Sequence, residues 1–168
     1  MSHAAPVVRD GTLQWTLITQ ALQKGGQHST FLSIVQKSGI TKTITDYLST
    51  TRTGFTLFVP SNAAFKVQKA SVLKPWAKNQ NTLQDLIKFH MLNFQALPTR
   101  FVNDKVGQGY TTFRGTSLIQ KFQGVGKVIS LGPQFAQEGT QLANITAMPF
   151  KDATAICYEI SNVLIPLK

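Results

Sequence analysis

The sequence contains few residues suited to cross-linking, membrane insertion or an acidic surface. Cys157 is the single cysteine, so a framework of disulfides within the chain is excluded. No apolar stretch approaches the roughly 18 residues that a membrane-spanning helix requires. Acidic residues number 7 against 17 lysines and arginines, and they form no block, which excludes an acidic disordered tail.

Residues that perform acid–base or metal chemistry are equally sparse. His3, His28 and His90 form no pair at i, i+4, and Cys157 is not clustered with a histidine, so the usual zinc spacings are missing. Residues 124–127 resemble part of a phosphate-binding loop, but the first glycine and the final serine or threonine of that motif are absent. We interpret these residues as a hairpin turn. The sequence therefore predicts a protein that is not an enzyme, with no catalytic residues, no metal and no cofactor.

What the sequence does contain is enough apolar residues for a core and a surplus of positive charge. Its 168 residues are 42% hydrophobic, which suits one domain over residues 12–168 after a flexible N-terminal segment at 1–11. The net charge of +10 predicts attraction to an anionic partner, and composition leaves nucleic acid, polysaccharide and a membrane surface open. The densest basic region is a candidate anion-binding face, with a plain solvated helical face as the alternative. Its lysines are Lys66, Lys69, Lys74, Lys78 and Lys88.

Hydrophobic periodicity places helices before strands. Apolar residues at helical spacing predict three helices in the first 50 residues, and alternation over residues 55–59 predicts a short strand. Ser61 or Asn62 then caps a helical segment that runs to His90, with a break near Pro75. Further strands are predicted at residues 110–113, 117–122, 127–131, 141–148 and 155–165. Helices followed by strands indicate an α+β fold in one domain.

Three blocks of sequence form a recognisable set. They are residues 56–65, which combine a strand with Pro-Ser-Asn-Ala-Ala-Phe, residues 86–92 with a central Phe89-His90, and residues 156–166, which end in Val-Leu-Ile-Pro. In this order they resemble the fasciclin domain, an extracellular adhesion module, over about residues 12–168. The Phe89-His90 pair and Tyr158 make the chain most similar to the fasciclin-like proteins of plant cell walls. The resemblance implies an α+β fold in which N-terminal helices pack on an antiparallel β wedge or sandwich.

The chain departs from the family pattern at several places, one of which is Phe89, where many members have a tyrosine before the histidine. Many members carry Asn-Gly before the closing strand, where this chain has Thr154-Ala155. The Asp-Ile element linked to integrin binding in animal members corresponds to Asn144-Ile145-Thr146, which lacks the aspartate, so integrin recognition through this element is not expected. The same triplet is a glycosylation sequon, which makes Asn144 a candidate glycosylation site.

The resemblance implies a non-enzymatic adhesion module that is extracellular, in a cell wall or at a cell surface. The expected partners are a matrix or cell-wall protein or an anionic polysaccharide, with weak association between copies of the chain. Phe89, His90 and the five lysines are the candidate binding residues, although for His90 a buried, hydrogen-bonded structural role is the favoured interpretation and contact with a partner is the alternative. Neither a signal peptide nor an anchor tail is recognisable, so we expect secretion from a longer precursor and membrane contact only through an anchor outside this sequence.

Two other functions stay open at this point. The charge alone suggests a basic nucleic-acid-binding domain, although the sequence has neither a nucleic-acid motif nor interleaved stacking aromatics. The second is a small-ligand binder with a pocket near His90. Titration with DNA or RNA at two salt concentrations tests the first, and ligand-induced shifts in melting temperature test the second.

Overall fold

The computed structural model describes residues 10–104, 106–123, 129–134 and 141–167. Within these residues there are seven helices: α1 Gly11–Gln23, α2 Ser29–Ser38, α3 Thr41–Thr50, α4 Asn62–Val67, α5 Ala70–Leu73, α6 Gln80–Lys88 and α7 Pro98–Asn103. They are accompanied by seven strands: β1 Phe55–Pro60, β2 Met91–Leu92, β3 Gly109–Thr111, β4 Ser117–Gln123, β5 Ile129–Pro133, β6 Ala143–Lys151 and β7 Ala155–Ile160. The predicted α+β class is confirmed. Residues 1–9 of the predicted N-terminal segment and the predicted turn at 124–127 lie outside the described residues.

The first three helices form a layer that packs on the sheet. Asp10 begins α1 by accepting hydrogen bonds from the backbone N–H groups of Thr12 and Leu13. α1 approaches α3 closely at Gly11, where an added Cβ would collide with the carbonyl of Thr45. The apolar faces of the three helices point inward and bury Trp15, Ile18, Leu22, Phe31, Val35, Ile44 and Leu48.

The seven strands form one sheet in the order β2-β1-β7-β6-β5-β4-β3. Neighbouring strands run antiparallel except β1 and β7, which pair in parallel from Phe55–Ala155 to Pro60–Ile160. The sheet is therefore mixed, whereas the resemblance implied antiparallel strands. A parallel pair needs a long connection, and most of the domain lies between β1 and β7 along the chain.

The two edges of the sheet meet, so that it is nearly a barrel. Leu92 of β2 forms an isolated bridge with Thr112, directly after β3. The backbone N–H of Phe113 donates to the carbonyl of Met91 at 2.9 Å. This closure pairs backbone groups that an open edge would leave to solvent or to another chain.

The central strands β1 and β7 are covered on both faces. All six residues of β1 are buried, including Thr56, whose hydroxyl donates to the carbonyl of Phe94 at 2.6 Å. Phe55 and Cys157 belong to the cluster beneath the helices, whereas Phe58 and Tyr158 belong to a second cluster on the other face. Two cores thus share the same pair of strands.

The structure corrects the predicted helices. The segment that we predicted as helical to His90 is divided into α4, α5 and α6, because Lys69 and Asn79 both adopt extended backbone conformations. The helix α7 was not predicted, and Pro98 occupies its first position, where a missing N–H costs nothing. None of the described helices is long and apolar enough to cross a membrane.

The structure also corrects the predicted strand ends. Gly132 and Pro133 belong to β5, and residues 149–151 belong to β6, whereas the predicted strands ended at residues 131 and 148. Pro149 is accommodated because β6 shifts register against β7 between Ala147 and Phe150. β7 ends at Ile160, earlier than predicted, and residues 161–167 continue without regular structure.

Candidate functional site

The predicted binding residue His90 lies in the interior, with 1% of its surface exposed. Its Nδ1–H donates to the carbonyl of Leu86 at 2.8 Å, and its Nε2 accepts from the backbone N–H of Leu164 at 3.0 Å. This pattern assigns the neutral imidazole, and burial lowers the pKa of His90 to about 4. His90 therefore joins the end of α6 to the segment that follows β7.

Phe89 is also buried, but it lines a surface cleft from within. It is the C-terminal cap of α6, and its side chain is 1% exposed. The helix is held at its other end by a capping box between Asn79 and Thr82, and Leu86 and Ile87 pack inward. The position of Phe89 is thus determined by the packing of α6.

The five candidate lysines lie on separate short elements and do not follow one long helix. Lys66 is in α4, Lys69 and Lys74 flank α5, Lys78 is in the following turn, and Lys88 is near the end of α6. The first four side chains are exposed and Lys88 is half-buried. In the described part of the chain, none of the five forms an ion pair.

The six acidic side chains that the structure describes are all engaged by groups of the protein itself. Asp10 caps α1, Asp46 pairs with Lys42, Asp85 with Arg114, Asp104 with Arg100, Asp152 accepts from Gln14, and Glu159 pairs with His28. The lysines above are therefore not neutralised by these carboxylates, and their charge is available to an external anion.

Arg114 is a charged residue of the surface that the sequence analysis did not single out. Its Nε donates to the Oδ2 of Asp85 at 2.6 Å, and its guanidinium carbon lies 5.5 Å from the centroid of the Trp76 ring. Arg114 and Phe89 line the same cleft of about 470 Å³. Only weak evidence for Arg114 as a binding residue is present in the sequence. Arg114-Gly115 lies between two predicted strands, and binding residues concentrate in such connections.

A second buried histidine, His28, makes a different set of contacts. His28 places Nδ1 3.2 Å from the carbonyl of Leu22 and Nε2 2.7 Å from the Oε2 of Glu159. Both ring nitrogens of His28 therefore face groups that accept hydrogen bonds. The hydroxyl of Thr146 donates to the other carboxylate oxygen at 2.7 Å. This network joins α2 to β6 and β7 and uses His28 structurally.

Asn144 lies within β6, opposite Ser130 of β5. Its side chain is half-buried, its Oδ1 accepts from the Ser130 hydroxyl, and its backbone N–H donates to the hydroxyl of Ser161 at 2.9 Å. Glycosylation of Asn144 stays a prediction.

The described residues include no group of three or more His, Cys, Asp or Glu side chains that could hold a metal ion. Cys157 is fully buried in β7, where burial and, to a smaller extent, the charge of Asp152 raise the pKa of its thiol. A thiol with a raised pKa is a poor nucleophile, so Cys157 acts as a small core residue.

Comparison with known proteins connects this architecture to a family. The family model described as Fasciclin domain matches residues 26–166. Similar curated proteins include fasciclin-like arabinogalactan protein 7 of Arabidopsis thaliana, 27% identical over 89% of this chain, and fasciclin-like arabinogalactan protein 12 of the same plant, 23% identical over 99%. The chain covers 56% and 65% of these two relatives, which is less than two thirds of each.

A solved structure shows the same fold. It is a FAS1 domain pair from the insect cell adhesion molecule fasciclin I, which matches with a TM-score of 0.63 at 18% sequence identity. The match covers 86% of this chain and 47% of that one.

Proposed function

The chain belongs to the fasciclin domain family, and from this membership we propose that it is a non-enzymatic adhesion module that acts outside the cell, in a cell wall or at a cell surface. The observation that carries the proposal is the family match over residues 26–166. The names of similar proteins support it, since they include arabinogalactan proteins and a cell adhesion molecule. Recognition by one such domain is weak, and tandem or clustered copies strengthen it through multivalency.

The partner that we propose is an anionic matrix polysaccharide, with a matrix protein as the other candidate. The net charge of +10 supports an anionic partner, because the described carboxylates are already engaged within the protein. Exposed cations raise the local concentration of a polyanion, and salt weakens that attraction. The proposed contact residues are Lys66 of α4, Lys69 and Lys74 on either side of α5, Lys78 of the turn before α6, and Lys88 of α6.

Phe89 and His90 lie inside the protein and support the proposed binding surface indirectly. Both residues are 1% exposed, so we assign them a supporting role and no direct contact with a partner. His90 ties α6 to the segment around Leu164, and Phe89 forms one wall of the cleft beside Arg114. Because His90 is buried, the hypothesis of a small-ligand binder now applies to this cleft and no longer to a pocket at His90.

Binding to polygalacturonate, compared with neutral galactan, tests the proposal. We expect salt-sensitive binding to the polyanion alone. Replacing the four exposed lysines (Lys66, Lys69, Lys74 and Lys78) together with glutamine lowers the affinity about tenfold, at a few tenths of a kcal/mol per exposed charge, and flattens the salt dependence. The matched control removes four exposed charges elsewhere through Lys24→Gln, Lys37→Gln, Arg52→Gln and Lys151→Gln.

Equal loss in both quadruple variants would mean that net charge, and no particular face, drives binding. Absence of salt-sensitive binding to polygalacturonate would overturn the polysaccharide as partner. Tighter binding to RNA or DNA than to polygalacturonate at the same salt concentration would replace adhesion with nucleic-acid binding. Recovery of the native protein from the wall or surface fraction of its cells tests the location.

A further inference from the structure

The geometry points to a carboxylate-binding subsite in the cleft beside Arg114, which takes an acidic sugar unit such as a uronate. The choice of a sugar as ligand rests on the proposed function, while the choice of a carboxylate rests on the cleft itself. The cleft has a volume of about 470 Å³ and lies between the end of α6, the β3–β4 turn and the end of β5. This volume is within the range of about 300–1,000 Å³ that is typical of small-molecule sites.

The guanidinium of Arg114 is held in place before any ligand binds. Its Nε donates to Asp85 at 2.6 Å, and its Nη1 lies 3.2 Å from the hydroxyl of Thr116 and 3.4 Å from the carbonyl of Leu167. The ring of Trp76 lies beneath it. The Arg114 side chain is 16% exposed. Because it is already ordered, it loses little conformational entropy when it binds an anion.

Several polar groups of the cleft retain hydrogen-bonding capacity. In the described part of the chain, the Nη2 of Arg114, the hydroxyl of Ser117 and the side-chain amide of Gln134 make no hydrogen bond to protein. Ser117 and Gln134 are held together, since the Gln134 backbone N–H donates to the Ser117 carbonyl at 3.1 Å. A planar guanidinium next to a hydroxyl and an amide matches a carboxylate with a neighbouring sugar hydroxyl.

The remaining walls and the nearby charge suit an acidic sugar. Phe89, Pro133 and Leu167 contribute apolar surface, which can pack against the C–H groups of a sugar ring. Asp85 offsets part of the positive charge of Arg114. Lys88 follows Asp85 by three residues in α6 and so lies on the same side of the helix, where its ammonium group adds a positive charge.

An NMR titration of the full chain with galacturonate, against neutral galactose, tests the subsite. We expect galacturonate to shift the backbone amide signals of Gly115, Thr116 and Gln134, and galactose to leave them unchanged. The variant Arg114→Lys keeps the charge but loses the planar fork. We expect it to weaken galacturonate binding about tenfold, which is about 1.4 kcal/mol and close to the lower end of the range for a hydrogen bond to a charged group.

A second variant tests the subsite with Arg114 unchanged, so that the test does not depend on the folding of Arg114→Lys. Ser117→Tyr places a good strand-forming residue in β4, leaves the Arg114–Asp85 pair intact and fills the cleft. We expect it to abolish the galacturonate shifts. The control Lys24→Gln removes an exposed charge that is outside the proposed contact residues and does not line the cleft, and it should leave the shifts in place.

The outcomes separate the subsite from the proposed function. If galacturonate shifts no cleft amide, or if Ser117→Tyr binds it as the parent does, the subsite is wrong. Polygalacturonate binding that is lost in the quadruple lysine variant but unchanged in Ser117→Tyr overturns the subsite and leaves the proposed function standing. Cleft shifts without any polymer binding overturn the polysaccharide partner and leave the carboxylate site standing. Tighter binding of galactose 6-sulfate than of galacturonate overturns the assignment to a carboxylate.

Discussion

At the residue scale, the two buried histidines differ in their hydrogen-bond partners. His90 faces one acceptor and one donor, the Leu86 carbonyl and the Leu164 N–H, so its neutral form satisfies both. His28 instead faces two acceptors, the Leu22 carbonyl and the Glu159 carboxylate. Both residues connect segments that are distant in the chain, which explains why each is used structurally.

The neutral state of His90 makes stability depend on pH. Its pKa is about 4 in the folded protein and close to 6.5 when unfolded, so between these values the unfolded chain takes up a proton that the folded chain does not. We therefore expect stability to fall as the pH drops from about 6.5 to about 4, with His90 contributing on the order of 3 kcal/mol.

Urea unfolding at pH 7, 5.5 and 4.5 checks this, with His90→Gln as the comparison. The variant should be less stable at pH 7, because one of two buried hydrogen bonds is lost, but its stability should fall less between pH 6.5 and 4.5. The prediction fails if the parent and His90→Gln show the same pH dependence. Since every other ionisable group is the same in both proteins, the difference between the two proteins isolates His90.

At the element scale, one short stretch supports the beginnings of two helices. The hydroxyl of Ser61 accepts from the N–H of Ala64 and caps α4. The Oδ1 of the next residue, Asn62, accepts from the N–H of Thr30 at 3.0 Å and so caps α2 from outside that helix. Its Nδ2 donates to the Gly26 carbonyl at 2.9 Å. We predicted that Ser61 or Asn62 caps α4, and the structure gives that role to Ser61 and a different one to Asn62.

Removing the Asn62 cap should loosen α2 more than α4. We expect Asn62→Ala to cost about 1–2 kcal/mol of unfolding free energy, as is typical of a lost cap, and Ser61→Ala to cost about 1 kcal/mol. Hydrogen exchange separates the two: the Thr30 amide should exchange faster in Asn62→Ala and stay near the parent rate in Ser61→Ala. An unchanged Thr30 rate in Asn62→Ala would show that this cap does not stabilise α2.

At the scale of the whole molecule, the shared central strands should make unfolding cooperative. The cluster beneath the helices and the cluster on the far face both draw residues from β1 and β7. Neither cluster can lose its strands without exposing the other. The smaller cluster around Trp76 is attached through Val163 and Leu86, next to the segment that His90 holds.

The two tryptophans report on this cooperativity from separate places. Trp15 lies in the cluster beneath the helices and Trp76 in the small cluster beside Arg114. In the single-tryptophan proteins Trp15→Phe and Trp76→Phe, fluorescence and far-UV circular dichroism should give one urea midpoint within each protein. Separate fluorescence and circular dichroism midpoints in either protein would show that its tryptophan region unfolds independently.

Local sequence patterns predicted much of the fold. Helical spacing located α1 to α3, alternation located β1, and three blocks together identified the fasciclin fold. The prediction of secondary structure was weakest where an element is very short or depends on contacts with neighbouring elements. β2 has only two residues. β6 continues through Pro149 because the strand shifts register there, and proline, which lacks a backbone N–H, is tolerated at such irregularities. Four of the five candidate lysines are exposed, as a local charge pattern suggests, but the division of their segment into three helices was only partly predicted.

The sequence by itself determined the fold class, the family, the excess of positive charge and the order of most elements, because these follow from composition and from spacing between near neighbours. Tertiary structure alone decided the parallel pairing of β1 with β7, the closure of the sheet at Leu92, and the partner of His90 at Leu164. It also brought Arg114 to Asp85 and so formed the cleft. These contacts join residues far apart in the chain, and their geometry depends on how whole elements pack, which no local period encodes.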